Sequence, residues 1–257
     1  MAKARVDRIA AGLPPSGWAS RALRAFRRLG PGGFVKLAAY NMRLLLSGRA
    51  GEHSYAYDDA WDRLHGVSTA GTLEVCELDG PEEVKATATR YEPTPPDCFA
   101  FLIERATTRD RSRFTFVDLG SGKGRVAMLA SLAGFRKVIA VEFAADLHAA
   151  AARNFESFAA GKERAPIAAL LADARSYQWE AEPTLCFLNN PFSADVLDEV
   201  LRRIERSLSD HPREFVVVYY HSDHAQLFER SGWRRIDQGY WQNKRHHYAI
   251  FSWVGAG

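Results

Sequence analysis

The stretch Thr115–Arg125, TFVDLGSGKGR, decides the fold. TFVDL is short and apolar-rich, as a buried strand is. Gly120, Gly122 and Gly124 follow at alternate positions. Glycine adopts backbone angles closed to other residues and lets the chain approach a ligand closely. The next residues predict a helix over 122–133, whose first amides would face whatever the loop encloses. Strand, glycine turn and helix form the opening unit of an open α/β sheet.

The alternation continues downstream. KVIAVEF (137–143), PIAALLA (166–172), TLCFLNN (184–190) and EFVVVYY (214–220) read as further strands. Helices are expected between them over 146–158 and 194–208, with a short turn near Arg175. Short apolar strands alternating with helices imply a parallel sheet covered on both faces. A helix over 223–232 should follow, then strands at WRRIDQGY (233–240) and RHHYAIFSWV (245–254). Too few residues separate the last two for a crossover, so they must pair antiparallel. The expected fold class is α/β, a doubly wound and mostly parallel seven-strand sheet with a terminal antiparallel hairpin.

Upstream, SGWASRALRAFRRL (16–29) and GGFVKLAAYNMRLLLSG (32–48) repeat apolar residues at three- and four-residue steps, predicting two helices. TLEVCEL (72–78) predicts a short strand, and a helix is expected over 97–106. YEPTPP (91–96) is barred from helix by its prolines. Two domains are expected, an N-terminal basic helical cap over 1–90 and a ligand-binding domain over 91–257.

Net charge is +3, but residues 1–49 hold ten Lys/Arg against one acid, a balance of +9 that leaves −6 for the remainder. Either the basic faces are simply solvated, or they meet an acidic partner. The acidic body argues against extensive nucleic-acid wrapping. No run nears the ~18 apolar residues of a transmembrane helix. Lys36 and Arg43 interrupt the most apolar N-terminal segment, against a secretory signal. Cys76, Cys98 and Cys186 are odd in number and far apart, neither a disulfide framework nor a metal spacing, and a reducing cytoplasm is the expected setting.

The loop discriminates among nucleotides. A dinucleotide loop of the form G-x-G-x-x-G needs a third glycine where Arg125 stands, and no G-x-x-x-x-G-K-[ST] is present. D-x-G-x-G-x-G instead resembles the first motif of the class I, seven-strand S-adenosylmethionine-dependent methyltransferases. That resemblance covers roughly residues 91–254. It implies S-adenosyl-L-methionine as cofactor, with Gly120 and Gly122 lining it and Asp118 holding its ammonium end. Glu142, twenty residues after Gly122, would accept the ribose hydroxyls, and Asp173 would meet the adenine amino group. All three acids fall at the carboxyl ends of successive strands, where open α/β sheets bind ligands. Each alone also has a structural reading: Asp118 as a helix cap, Glu142 as a solvated acid, Asp173 as a turn former.

Asn189-Asn190-Pro191-Phe192 resembles the [D/N]-P-P-[F/Y] motif of nitrogen-directed methyltransferases, departing from it at Asn190. The resemblance makes Asn189, Pro191 and Phe192 the catalytic set, with Asn189 also beside the cofactor. RYEPTPP is similar to the cofactor lid of seven-strand protein-lysine methyltransferases and of bacterial proteins like them, which brings in Tyr91 and Thr94. Strand alternation lets at most one of Tyr219 and Tyr220 enter the site. Tyr220 and His221 are the candidate substrate contacts, His221 as a proton acceptor. No metal is expected, since His246 and His247 adjoin in a strand and face opposite ways.

The activity implied is methyl transfer to a nitrogen, an amine of a protein side chain or small molecule. Rival readings are a nucleic-acid adenine acceptor, which would use the basic helices, and an inactive cofactor-binding scaffold. The oligomeric state is left open.

Overall fold

The computed structural model describes residues 58–106, 110–159, 164–229 and 232–255. The two basic helices expected over 16–48 lie outside the described residues. The chain opens with α1 (Asp58–His65), the four-residue α2 (Glu82–Lys85) and α3 (Pro96–Ala106). The alternating part follows: β1 (Thr115–Leu119), α4 (Arg125–Leu132), β2 (Lys137–Glu142), α5 (Ala145–Ala159) and β3 (Ile167–Leu171). It continues through β4 (Thr184–Asn189), α6 (Ala194–Asp210), β5 (Phe215–Tyr220), β6 (Trp233–Tyr240) and β7 (His247–Trp253).

The sheet order is β3-β2-β1-β4-β5-β7-β6. β1 to β5 run parallel, and β7 is antiparallel to both β5 and β6. This is the α/β sheet with a terminal hairpin expected from the strand pattern. The order reverses between β1 and β4, which are paired with Leu119 opposite Leu188. Strand ends diverge at such a switch point and leave a crevice beyond their carboxyl ends.

Period-two alternation divides the core. Val117, Leu119, Cys186, Leu188, Val217 and Tyr219 face one side, where α6 covers them. Phe116, Leu185, Phe187, Val218 and Tyr220 face the other, under α3 and α4. α6 presents Val196, Leu197, Val200, Leu201, Ile204 and Leu208, all buried. Each such side chain stabilises by about 1.5–3 kcal/mol on leaving water, so this stripe is what holds α6 to the sheet. Its surface pair Arg202–Asp198 adds only a few tenths.

Three local expectations are corrected. TLEVCEL forms no strand: Leu73 makes an isolated bridge with Tyr91, and Val75–Glu77 is a 3₁₀ turn capped by Glu74. Over 223–232 the described residues hold only the 3₁₀ turn Ala225–Phe228. Its Phe228 is drawn onto Phe251, with ring centroids 4.1 Å apart, so an aromatic contact rather than helix periodicity sets that segment. The helix after the glycine loop begins at Arg125, not 122, because Gly122 and Gly124 are left-handed, with φ of 56° and 84°.

α1 was not foreseen, and a charged side chain explains it. Arg125, only 2% exposed, reaches Asp62 Oδ1 with Nη2 at 3.3 Å and Thr69 Oγ1 with Nε at 2.6 Å. Asp62 also accepts from the Thr69 and Ala70 amides at 2.6 and 2.7 Å. A buried charge is tolerated only when paired and hydrogen-bonded, so α1 must close over the glycine loop. Asp62→Ala is expected to cost ~3–5 kcal/mol by stranding the Arg125 guanidinium, read as a lowered urea midpoint at unchanged slope.

Candidate functional site

The site is assembled at the carboxyl ends of β1, β2 and β4. After Leu119 the chain turns at Gly120, whose φ is 75°. A Cβ there would lie 2.5 Å from the Pro191 Cβ, so only glycine lets the loop after β4 pack onto the loop after β1. The turn is anchored by Glu142, whose Oε2 accepts the Gly122 amide at 2.7 Å and Oε1 the Ala144 amide at 2.9 Å. Burial raises the Glu142 pKa, against backbone hydrogen bonds that pull it down.

A strap formed by residues 84–94 covers the crevice. Ala88 bridges antiparallel to Phe192, the Thr89 hydroxyl donates to the Asn190 carbonyl at 2.6 Å, and the Ser193 amide donates to the Thr87 carbonyl at 2.7 Å. Tyr91 lies on Gly122, where a Cβ would be 2.2 Å from its ring, and its hydroxyl donates to the Thr69 carbonyl at 2.6 Å. The enclosed pocket holds about 640 Å³, part of it open to solvent. Tyr91, Thr94, Asp118, Gly120, Gly122, Glu142, Asn189, Pro191 and Phe192 all line it, whereas Asp173, Tyr220 and His221, also expected from the sequence, do not.

Its walls carry three buried polar atoms with no hydrogen-bond partner: Thr94 Oγ1, Asp118 Oδ2 and Ser121 Oγ. Such atoms are costly to leave unmade and rare in folded proteins. Asp118 is 3% exposed, and burial, then the nearby Glu142 carboxylate, pushes its pKa well above the carboxylate range. Two hydroxyls and a carboxyl aimed into a cavity form a donor set for a small zwitterionic or cationic group.

Asp173 lies in an adjoining pocket with Gly120, Val141, Phe143, Arg175 and Phe192. Its carboxylate takes the Arg175 Nη2 at 2.6 Å and backbone amide at 2.8 Å. Burial alone would raise its pKa, but the Arg175 bonds and charge hold it below the usual value. Asp173 therefore stands at the expected strand end with its oxygens already engaged.

Beyond β4, Asn189 donates from Nδ2 to the Glu92 carbonyl at 2.9 Å, and its Oδ1 lies 3.1 Å from His221 Nδ1. Asn190 has φ of 41°, which proline's ring forbids. Its Oδ1 accepts from the Tyr219 hydroxyl at 2.6 Å and its Nδ2 donates to Asp223 at 2.8 Å. The departure from the four-residue motif is thus a different loop conformation. Tyr220 is 1% exposed with its hydroxyl on His246 Nδ1 at 2.5 Å. It touches neither pocket and instead carries the His221 ring, 4.0 Å away. Among the described residues no group of three His, Cys, Asp or Glu could hold a metal ion, and no helix is long and apolar enough to cross a membrane.

Sequence reading missed Ser121 and the part of the strap before Arg90. Ser121 was an unspecified position inside the loop pattern, and a hydroxyl there was the available signal. Thr87 to Thr89 offered none, because their partners lie about a hundred residues away.

No protein-family model matches this chain, and no curated protein does. Among solved structures, magnesium protoporphyrin IX methyltransferase from Synechocystis PCC 6803, with bound SAM, aligns at 13% identity and TM-score 0.43 over 61% of this chain and 75% of that one. A SAM-dependent methyltransferase from Leishmania major aligns at 14% identity and TM-score 0.47, covering 61% and 71%. Ribosomal protein L11 methylase from Lactobacillus delbrueckii subsp. bulgaricus aligns at 16% identity and TM-score 0.42, covering 61% and 77%. The fold stated above rests on the strand order, not on these likenesses.

Asp118 gives a signed prediction. Its pKa is raised in the folded protein, so the folded state keeps a proton that the unfolded chain releases. Stability is then lost as pH rises from the ordinary carboxylate range, near 3.8, through the folded value. Asp118→Asn is expected to stabilise the ligand-free protein at pH 7 by about 1–3 kcal/mol and to flatten that decline, as denaturant titrations across pH would show.

Proposed function

We propose that the chain is an S-adenosylmethionine-dependent methyltransferase that presents an acceptor nitrogen beside Asn189. The supporting observation is the trio of partnerless polar atoms in one cavity at the glycine loop. Each suits the methionine end of that molecule: the Asp118 carboxylate meets an ammonium group, and the Thr94 and Ser121 hydroxyls donate to a carboxylate. Glu142 keeps lone pairs beyond the Gly122 and Ala144 amides with which to accept ribose hydroxyls. Gly120 and Gly122 keep the floor low, and Tyr91 closes the loop from above. The adjoining pocket, between Phe143 and Phe192, takes a flat base. Asp173 serves a base amino group there if Arg175 yields part of its hold.

When bound, S-adenosylmethionine supplies an electrophilic methyl group on its sulfonium. The protein's part is then orientation, exclusion of water and a favourable electrostatic field. Asn189 Oδ1 accepts a hydrogen bond from the acceptor N–H and aims its lone pair. Pro191 and Phe192 fix the loop bearing Asn189 against Gly120 and the strap. The acceptor is an amine of a protein side chain or a small molecule, and the nearest lid resemblance, to protein-lysine enzymes, favours the former.

Calorimetry with S-adenosylhomocysteine is expected to give one site per chain, weakened by ~1–3 kcal/mol in Asp118→Ala. Methyl-tritiated S-adenosylmethionine with host extract, separated into protein, nucleic-acid and small-molecule fractions, is expected to label the protein or small-molecule fraction. Label in nucleic acid would replace the acceptor class. No binding of either compound would overturn the reading.

A further inference from the structure

Two carboxyl groups share the cavity at the glycine loop, and the structure treats them differently. Asp118 on β1 is paired with Ala140 on β2. Glu142 stands two residues further along β2, so strand alternation puts both acids on one face of the sheet. Both line the same pocket and both are buried. Glu142 has a backbone amide on each oxygen, Gly122 on Oε2 and Ala144 on Oε1. Asp118 Oδ2 meets no donor.

Two carboxylates in one buried cavity repel, and a buried charge without donors is costly. Amide donors favour the ionised form, so the negative charge resides on Glu142, and a proton neutralises Asp118. The groups around Asp118 leave that proton in place. Cys186 of β4 stays a neutral thiol, its pKa raised by burial and then by Asp118. Arg125 of α4 is directed at Asp62 and Thr69. Arg90 and Glu92 of the strap pair with each other at 2.8 Å. Asp146 of α5 adds negative charge, felt at Glu142.

We propose that Asp118 is the specificity-determining residue of this cavity and exchanges its proton for the ammonium group of an incoming ligand. This rests on the methyltransferase reading above for the ligand's identity. The Asp118 O–H bond breaks, its electron pair stays on the carboxylate, and the proton passes to a buffer base in solvent. The carboxylate then pairs with the ammonium. One positive charge enters beside Asp118 as one leaves. A neutral ligand of the same shape brings no cation, and beneath it Asp118 keeps its proton.

The exchange makes affinity depend on pH with a definite sign. Burial, then Glu142, raises the Asp118 pKa well above the carboxylate range in the ligand-free protein, and an ammonium on the same oxygens lowers it again. The bound state therefore holds fewer protons. Affinity rises with pH by about tenfold per unit up to the ligand-free value and is level above it.

The test needs no methyl acceptor. Asp118→Asn keeps the shape of the side chain and has no proton to lose. Calorimetry with S-adenosylhomocysteine, in buffers of different ionisation enthalpy from about pH 5 to 8, counts the protons. Below the ligand-free value the wild type should release about one more proton per site than Asp118→Asn. The difference is read rather than the total, because Glu142 shares the cavity. Wild-type affinity should climb with pH, whereas that of Asp118→Asn should vary little and be about 10-fold or more weaker at the alkaline end. In protein labelled with ¹³Cγ-aspartate, the signal lost in Asp118→Asn should titrate above the ordinary carboxylate range, and S-adenosylhomocysteine should move it to the ionised position. A ligand-free midpoint near 3.8, or equal proton release by the two proteins, would overturn the exchange and leave the methyltransferase reading standing. Failure of S-adenosylhomocysteine to bind the wild type at any pH removes that reading, and the exchange with it.

Discussion

The bond from the Gly122 amide to Glu142 Oε2, 2.7 Å long, is the constraint on which the site depends. It ties the loop after β1 to the tip of β2 and holds the left-handed turn open instead of letting it collapse as helix. Because the loop is held there, α4 starts late, at Arg125, and the Arg125 side chain is delivered into a buried position that only Asp62 and Thr69 satisfy. That requirement recruits α1. The same held loop leaves Gly120 flush against Pro191 and Gly122 flush against Tyr91. One backbone-to-carboxylate bond therefore organises the floor, the lid and the N-terminal cover of the cavity.

The polar groups of this cavity are held at a cost to stability. Asp118 and Glu142 are two buried carboxyl groups, and only Glu142 has backbone amides to compensate it. Thr94 and Ser121 add hydroxyls without partners. A fold selected for stability alone would place apolar groups at these positions. Their cost is offset by what surrounds them: the aromatic cluster of Phe99, Phe116, Phe135 and Phe187 on one face of the sheet, and the α6 stripe on the other. Non-glycine left-handed residues at the ends of β4 and β5, Asn190 and His221, show the same pattern. The third such residue among the described ones, Gln242, lies in the β6–β7 connection.

The sheet was legible because its signal is local. Apolar runs of five to eight residues, separated by helical periodicity, specify parallel strands, and the short final connection forces a hairpin. The glycine spacing, the acids Asp118 and Glu142 and the amide Asn189 at strand ends were legible for a related reason. Strand ends follow from strand bounds, and the parallel order brings those ends to one edge. Where local signal was weak the reading failed. TLEVCEL has strand composition but no neighbour to pair with except Tyr91, and the segment after β5 has helical spacing but is pinned by the Phe228–Phe251 stack.

By itself, then, the sequence determined the sheet, its terminal hairpin and the set of residues converging on its carboxyl edge, because each is written in spacings of a few residues. Only the tertiary structure decided which of those residues are free to act. Asp118 is left without a partner, whereas Asp173 is held by the Arg175 side chain two residues on, and Tyr220 is turned from the pocket to become a support. It also turned the Asn189 side chain toward a carbonyl 97 residues away. Such assignments depend on hydrogen-bond partners brought together by long-range packing, and no spacing along the chain encodes them.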